Sequence, residues 1–200
     1  MVRNVPKDRE RRVGFRIRME IRIRKGQEIV MASGMCGGTG EIFNNANLVK
    51  MMIEHETGCE QRVGHFLKVY GYAKTIGELE KLDQSTQFVL ETAALMHDVG
   101  IKASLAKYGN AAGENQEKEG AIAARDMLGQ LGYDAAVIDR VCYLIAHHHT
   151  YVAIDGLDYQ ILVEADFLVN LSGASMEARN DGSKHFRTNA GAHFLRTIYT

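Results

Sequence analysis

The chain has 200 residues, 46% of them hydrophobic and 24% charged, the proportions of an ordinary globular domain rather than a disordered, collagen-like or disulfide-stapled chain. Three cysteines (Cys36, Cys59, Cys142) stand far apart with no C-x-x-C among them, as in a reducing compartment, so the expected location is cytoplasmic. The net charge of −1 conceals an asymmetry: residues 1–26 hold ten Lys/Arg against three Asp/Glu, leaving −8 on the rest, a balance that disfavours nucleic acid as a partner.

No apolar run approaches the ~20 residues of a membrane-spanning helix, so no membrane association is expected. In chain order, the first feature is strict alternation: Val13, Phe15, Ile17, Met19, Ile21 and Ile23 face one way and four arginines the other. Period two reads as a half-buried strand. A lone strand needs a sheet to join, and no second strand pattern follows. The arm is therefore expected to pair with its copy in a homo-oligomer, to remain a solvated basic tail, or to lie outside the native reading frame. Residues 31–41 (MASGMCGGTGE) have linker composition, and their GGTG lacks the Lys-Ser/Thr of a phosphate loop. Residues 1–43 are thus read as a basic extension and Gly-rich linker, and 44–200 as one all-α domain, a single helical bundle.

Within that domain Asn44 or Asn45 can cap a helix running to about Glu56, with Gly58 past its end. Helices are expected over about Glu60–Lys74, Ser85–His97, Glu117–Leu131, Asp134–His148, Leu157–Leu171 and Ala190–Tyr199, with a polar loop at 108–116 (YGNAAGENQ). The only proline is Pro6, so nothing breaks these segments internally.

Eight histidines are the notable excess. At ~100° per residue, Val89, Leu90, Ala93 and Ala94 share one helix face, and His97 falls near its middle. Asp98 follows at the C-terminal end of that helix, where the dipole disfavours a carboxylate unless a cation compensates. His65 flanks the stripe of Phe66, Val69, Ala73 and Ile76. Two inward histidines beside an aspartate suit a divalent ion. On the helix Leu157–Leu171, Glu164 and Asp166 lie on opposite flanks of the core stripe, and periodicity alone does not choose between them. At least one is expected to be partly buried and to need a cation or hydrogen-bond donors.

A histidine in QRVGH (His65), then ALMHDVG (His97, Asp98), then EADFLVNL (Asp166), resembles the HD superfamily of metal-dependent phosphohydrolases. The resemblance spans about Arg62 to Leu171. It implies an HD-type bundle in which His65, His97, Asp98 and Asp166 ligate one divalent ion (Mn, Mg, Fe, Co, Ni or Zn), and it favours Asp166 over Glu164. It also implies a metal-dependent phosphohydrolase acting on a phosphomonoester or nucleotide, with Asp98 catalytic. The alternatives are a non-catalytic nucleotide- or metal-sensing domain and a di-iron oxygenase.

Some relatives read HDxGK where this chain reads HDVGIK, so Lys102, one place later, is the candidate for catalysis and phosphate binding, against a plain surface lysine. Binuclear relatives carry a further histidine where Gln116 stands here, which leaves a second metal open. Gln116, Glu117 or Glu119 could instead hydrogen-bond water or substrate. In the triplet His147–His149, His148 and His149 are the candidates facing the pocket as substrate ligands. The loop Tyr108–Gln116 would suit a lid. His185, Arg187 and Arg196 are weighed as phosphate-binding charge against solvated surface, and His55 and His193 are read as structural.

Overall fold

The computed structural model describes residues 44–199, so the expected N-terminal strand and linker lie outside the described residues. Among these residues there are nine helices and no strand: α1 (Ala46–His55), α2 (Glu60–Leu79), α3 (Gln84–Met96), α4 (Ile101–Tyr108), α5 (Gly113–Gln130), α6 (Ala135–Ile145), α7 (Leu157–Asn170), α8 (Met176–Ser183) and α9 (Asn189–Ile198). The all-α class read from the sequence holds.

The centre of the bundle is α3. Asp83 caps it by accepting from the backbone N–H groups of Ser85 (3.0 Å) and Thr86 (3.1 Å). Every residue from Val89 to Met96 is buried, because α2, α6 and α7 pack around the helix. Phe66, Val69, Ala73 and Ile76 present the buried stripe of α2, and Ile161, Leu162, Ala165 and Leu168 that of α7. Around this three-helix centre, α5 packs on α6, α4 on α5, and α9 on α7 and α2. Burying each large aliphatic side chain contributes about 2 kcal/mol, so this shared core dominates the stability.

At the start of the domain the two asparagines divide their roles. Asn44 Oδ1 accepts from the Ala46 N–H (2.8 Å), whereas Asn45 turns inward and accepts from Thr92 Oγ1 (3.1 Å) and Tyr133 Oη (2.7 Å). Gly58, after α1, adopts φ +84°, a conformation that glycine reaches without strain.

Several boundaries differ from expectation. The helix α2 runs on to Leu79, its last turns tied to α3 where Lys74 Nζ donates to Glu91 Oε1 (3.0 Å) and Gln87 Nε2 donates to the Lys74 carbonyl (3.2 Å). The short helices α4 and α8 have no counterpart in the sequence reading. The loop expected at 108–116 shrinks to 109–112, since Gly113–Gln116 already form the first turn of α5. The connection expected to suit a lid is therefore a four-residue link (109–112). The helix expected to reach His148 stops at Ile145, and His147–His149 occupy the turn after it.

Candidate metal centre

Three packed helices deliver four donor groups to one point. His65 comes from α2, Asp166 from α7, and His97 and Asp98 from the turn that closes α3. His65 Nε2 lies 3.0 Å from His97 Nε2, 3.1 Å from Asp166 Oδ1 and 3.4 Å from Asp98 Oδ2. His97 Nε2 is 3.5 Å from both Asp98 Oδ2 and Asp166 Oδ1. His97 is fully buried, and its Nδ1–H donates to the Ala94 carbonyl (2.9 Å). That bond turns Nε2 toward the cluster, the orientation usual in metal-ligating histidines.

The donor set fits a divalent ion. Asp166 Oδ1 is buried and accepts no hydrogen bond, although two imidazole nitrogens stand close by. A buried carboxylate oxygen in that position needs a cation. The electrostatics agree. Burial opposes charge on His97, but Asp98 and Asp166 outweigh it and push the imidazole up to about 9. Burial likewise opposes charge on Asp98, yet His97 and His148 bring its carboxyl down to about 2. Asp166 follows the same pattern: burial raises it, and His65 and His97 hold it well below the ordinary carboxylate range. The pocket therefore stabilises positive charge at its centre.

The two oxygens of Asp98 face different ways. Oδ2 looks to His65 and His97, while Oδ1 accepts from the Gln116 amide and lies 3.8 Å from His148 Nε2. His148 is buried and repeats the device of His97: its Nδ1–H donates to the Ile145 carbonyl (2.8 Å), directing Nε2 inward. Gln116 Nε2 is 3.5 Å from that nitrogen. Beyond it, Glu117 Oε1 accepts the His149 backbone N–H (2.9 Å) and stands 3.9 Å from His149 Nδ1, a buried atom with no hydrogen bond. Burial and the adjacent His148 lower the His149 pKa, against the carboxylate of Glu117. Glu117, His148 and His149 thus offer a second set of donors, all within 4.8 Å of one another.

The remaining candidates lie elsewhere. The Lys102 ammonium donates to the His55 carbonyl at the end of α1, and no hydrogen bond or ion pair joins it to the cluster. Glu119 accepts from Lys107 Nζ (2.8 Å) and Tyr108 Oη (2.8 Å), binding α4 to α5. His147 bonds the Tyr143 carbonyl (2.7 Å). Arg187, His193 and Arg196 are exposed. Glu164 is fully buried without metal: it accepts from Gln160 Nε2 (2.8 Å), the Arg187 N–H (2.6 Å), the Thr188 N–H (2.8 Å) and Thr188 Oγ1. The rings of Tyr151, Phe167 and His185 meet one another, a grouping the sequence reading did not make; it weighed His185 only as phosphate-binding charge.

The all-helical bundle thus brings two imidazoles and two carboxylates close together, a donor set that could hold a metal ion. The HD domain model matches residues 62–172, more than half of the chain, and the chain belongs to the HD domain family. HD domains bind divalent metals, and His65, His97 and Asp98 of this chain are grouped closely enough to hold one. The fold is similar to the crystal structure of a predicted HD superfamily hydrolase from an uncultured Thermotogales bacterium, with a TM-score of 0.59 and 24% identity over 76% of this chain and 83% of that one. Among curated proteins none matches the chain.

Proposed function

We propose that the protein hydrolyses phosphomonoesters, nucleotides among them, with one divalent ion held by His65 Nε2, His97 Nε2, Asp98 Oδ2 and Asp166 Oδ1. The observation that carries this reading is the convergence of those four atoms around a buried carboxylate oxygen that accepts no hydrogen bond. An ion there supplies Lewis-acid chemistry, activating water and offsetting charge on the phosphoryl oxygens. Asp98 Oδ1, on the face away from His65 and His97, accepts the proton of the attacking water. The Gln116 amide and His149 hold a phosphate oxygen at the adjoining edge. Lys102 acts at a distance, keeping α1 against the turn that carries Asp98.

A second reading concerns ion number. Glu117, His148 and His149 support a second ion beside Asp98 Oδ1, with a carboxylate serving where binuclear relatives use an imidazole. Elemental analysis of the purified protein separates one ion per chain from two, and Glu117→Gln lowers the count by one if the second set is occupied.

The central test is Asp98→Ala. Phosphate release from phosphomonoesters and retention of Mn, Fe or Co should fall together by more than a hundredfold (~3 kcal/mol), with helical circular dichroism unchanged. Hydrolysis that persists in the metal-free variant overturns the reading. Tight binding of a phosphorylated compound with no turnover under any metal points instead to a sensing domain.

A further inference from the structure

Beside the metal centre three rings from three separate segments meet. Phe167 follows Asp166 on α7, and His185, from the link between α8 and α9, stacks on it with centroids 4.8 Å apart and planes 8° from parallel. Tyr151, from the link between α6 and α7, closes the group at 4.5 Å from His185 and 5.2 Å from Phe167. Tyr151 is 39% exposed and its hydroxyl makes no hydrogen bond among the described residues. Tyr151 stands two residues after His149 and Phe167 one after Asp166, so the rings adjoin a donor of each cluster.

The rings are held there by buried polar bonds from α7. The Tyr159 hydroxyl is shared between the carbonyls of His147 and Thr150, pinning the chain that leads into Tyr151. One residue on, Gln160 Nε2 donates to the His185 carbonyl (2.8 Å) and to Glu164 Oε1 (2.8 Å). Glu164 in turn takes the backbone N–H groups of Arg187 and Thr188. A single helix therefore fixes the acid ligand and both flanks of the aromatic group. A packing cluster alone would not call for a clamp on each side. Rigid supports of this kind are what a recognition surface requires.

We propose that Tyr151, Phe167 and His185 form a stacking wall that selects phosphoesters bearing a planar aromatic ring, a nucleoside monophosphate being the simplest. The wall rests on the phosphohydrolase reading and narrows its substrate class. Stacking is sequence-tolerant because every base has a π-face, and aromatic platforms of this type discriminate ring from no ring rather than one base from another. The ring of Tyr151 is the exposed member and carries most of the effect, and its hydroxyl is dispensable.

The test compares adenosine 5′-monophosphate with ribose 5-phosphate, which keeps the ester and lacks the base, on the metal-loaded full chain. Tyr151→Ala should raise KM for the nucleotide about tenfold and leave kcat and the ribose 5-phosphate kinetics unchanged. Tyr151→Phe should behave as the parent, and His185→Ala should fall between. Equal KM values for the two compounds in the parent, or an equal loss on both in Tyr151→Ala, overturns the wall while leaving phosphohydrolysis intact. If neither compound is hydrolysed, the phosphohydrolase reading fails, and calorimetric titration with adenosine decides the wall separately. Binding that Tyr151→Ala weakens about tenfold supports it, and no binding by the parent overturns it.

Discussion

Glu164 and Asp166, two residues apart on α7, show how the partner at the end of a side chain decides its role. Glu164 is saturated by donors from the 185–188 segment, and Asp166 faces two imidazoles. Replacing Glu164 by Ala leaves the Arg187 and Thr188 N–H groups and the buried Gln160 amide without that acceptor, a loss of about 2–4 kcal/mol measurable by urea denaturation. Asp166→Asn should abolish metal retention, the readout that separates a liganding acid from a structural one. The His97 pKa of about 9 exceeds the ordinary 6.5, so in the metal-free protein its charged form contributes stability that is fully present below 6.5 and lost as pH rises through about 9. An ion must displace that proton. Metal affinity should therefore strengthen as pH rises across this window, with proton release, as calorimetry in buffers of different ionisation enthalpy would record.

Among the elements, α4 and α5 depend on an unusually close approach. A Cβ on Gly100 would collide with the Gln116 carbonyl and the Gly120 amide, and one on Gly120 would press on Ile145 of α6 at 2.9 Å. Gly100→Ala should cost about 3 kcal/mol and displace α5, drawing the Gln116 amide off Asp98. The expected readouts are a lower urea midpoint and weakened metal retention from a single methyl group outside the donor set. This contact was not legible in the sequence, where Gly100 reads only as the end of a helix. The helices α4 and α8 were missed for a related reason. Each has eight residues, too few to show an apolar repeat. The long helices α3 and α7 were legible because their apolar residues recur over three turns or more.

The whole molecule gathers its donors from residues 65 to 166, so a bound ion ties α2, the end of α3 and α7 together and stabilises only the folded chain. At a hundredfold excess over Kd the gain is about 2.7 kcal/mol. Removing metal with a chelator should then lower Tm by roughly 5–10 °C, and Asp98→Ala should show no such shift. Among the described residues no helix is long and apolar enough to cross a membrane.

What the sequence alone determined is the helical class, the inward direction of His65 and His97, and the order in which the donor groups occur. These follow from periodicity, a property of neighbours along the chain. Only the tertiary structure gave Glu164 its four donors, carried Lys102 to the His55 carbonyl, shortened the 108–116 loop and brought Tyr151 to His185. Each of those outcomes depends on which distant backbone amide, carbonyl or ring meets a side chain once the helices pack, and no local pattern encodes that meeting.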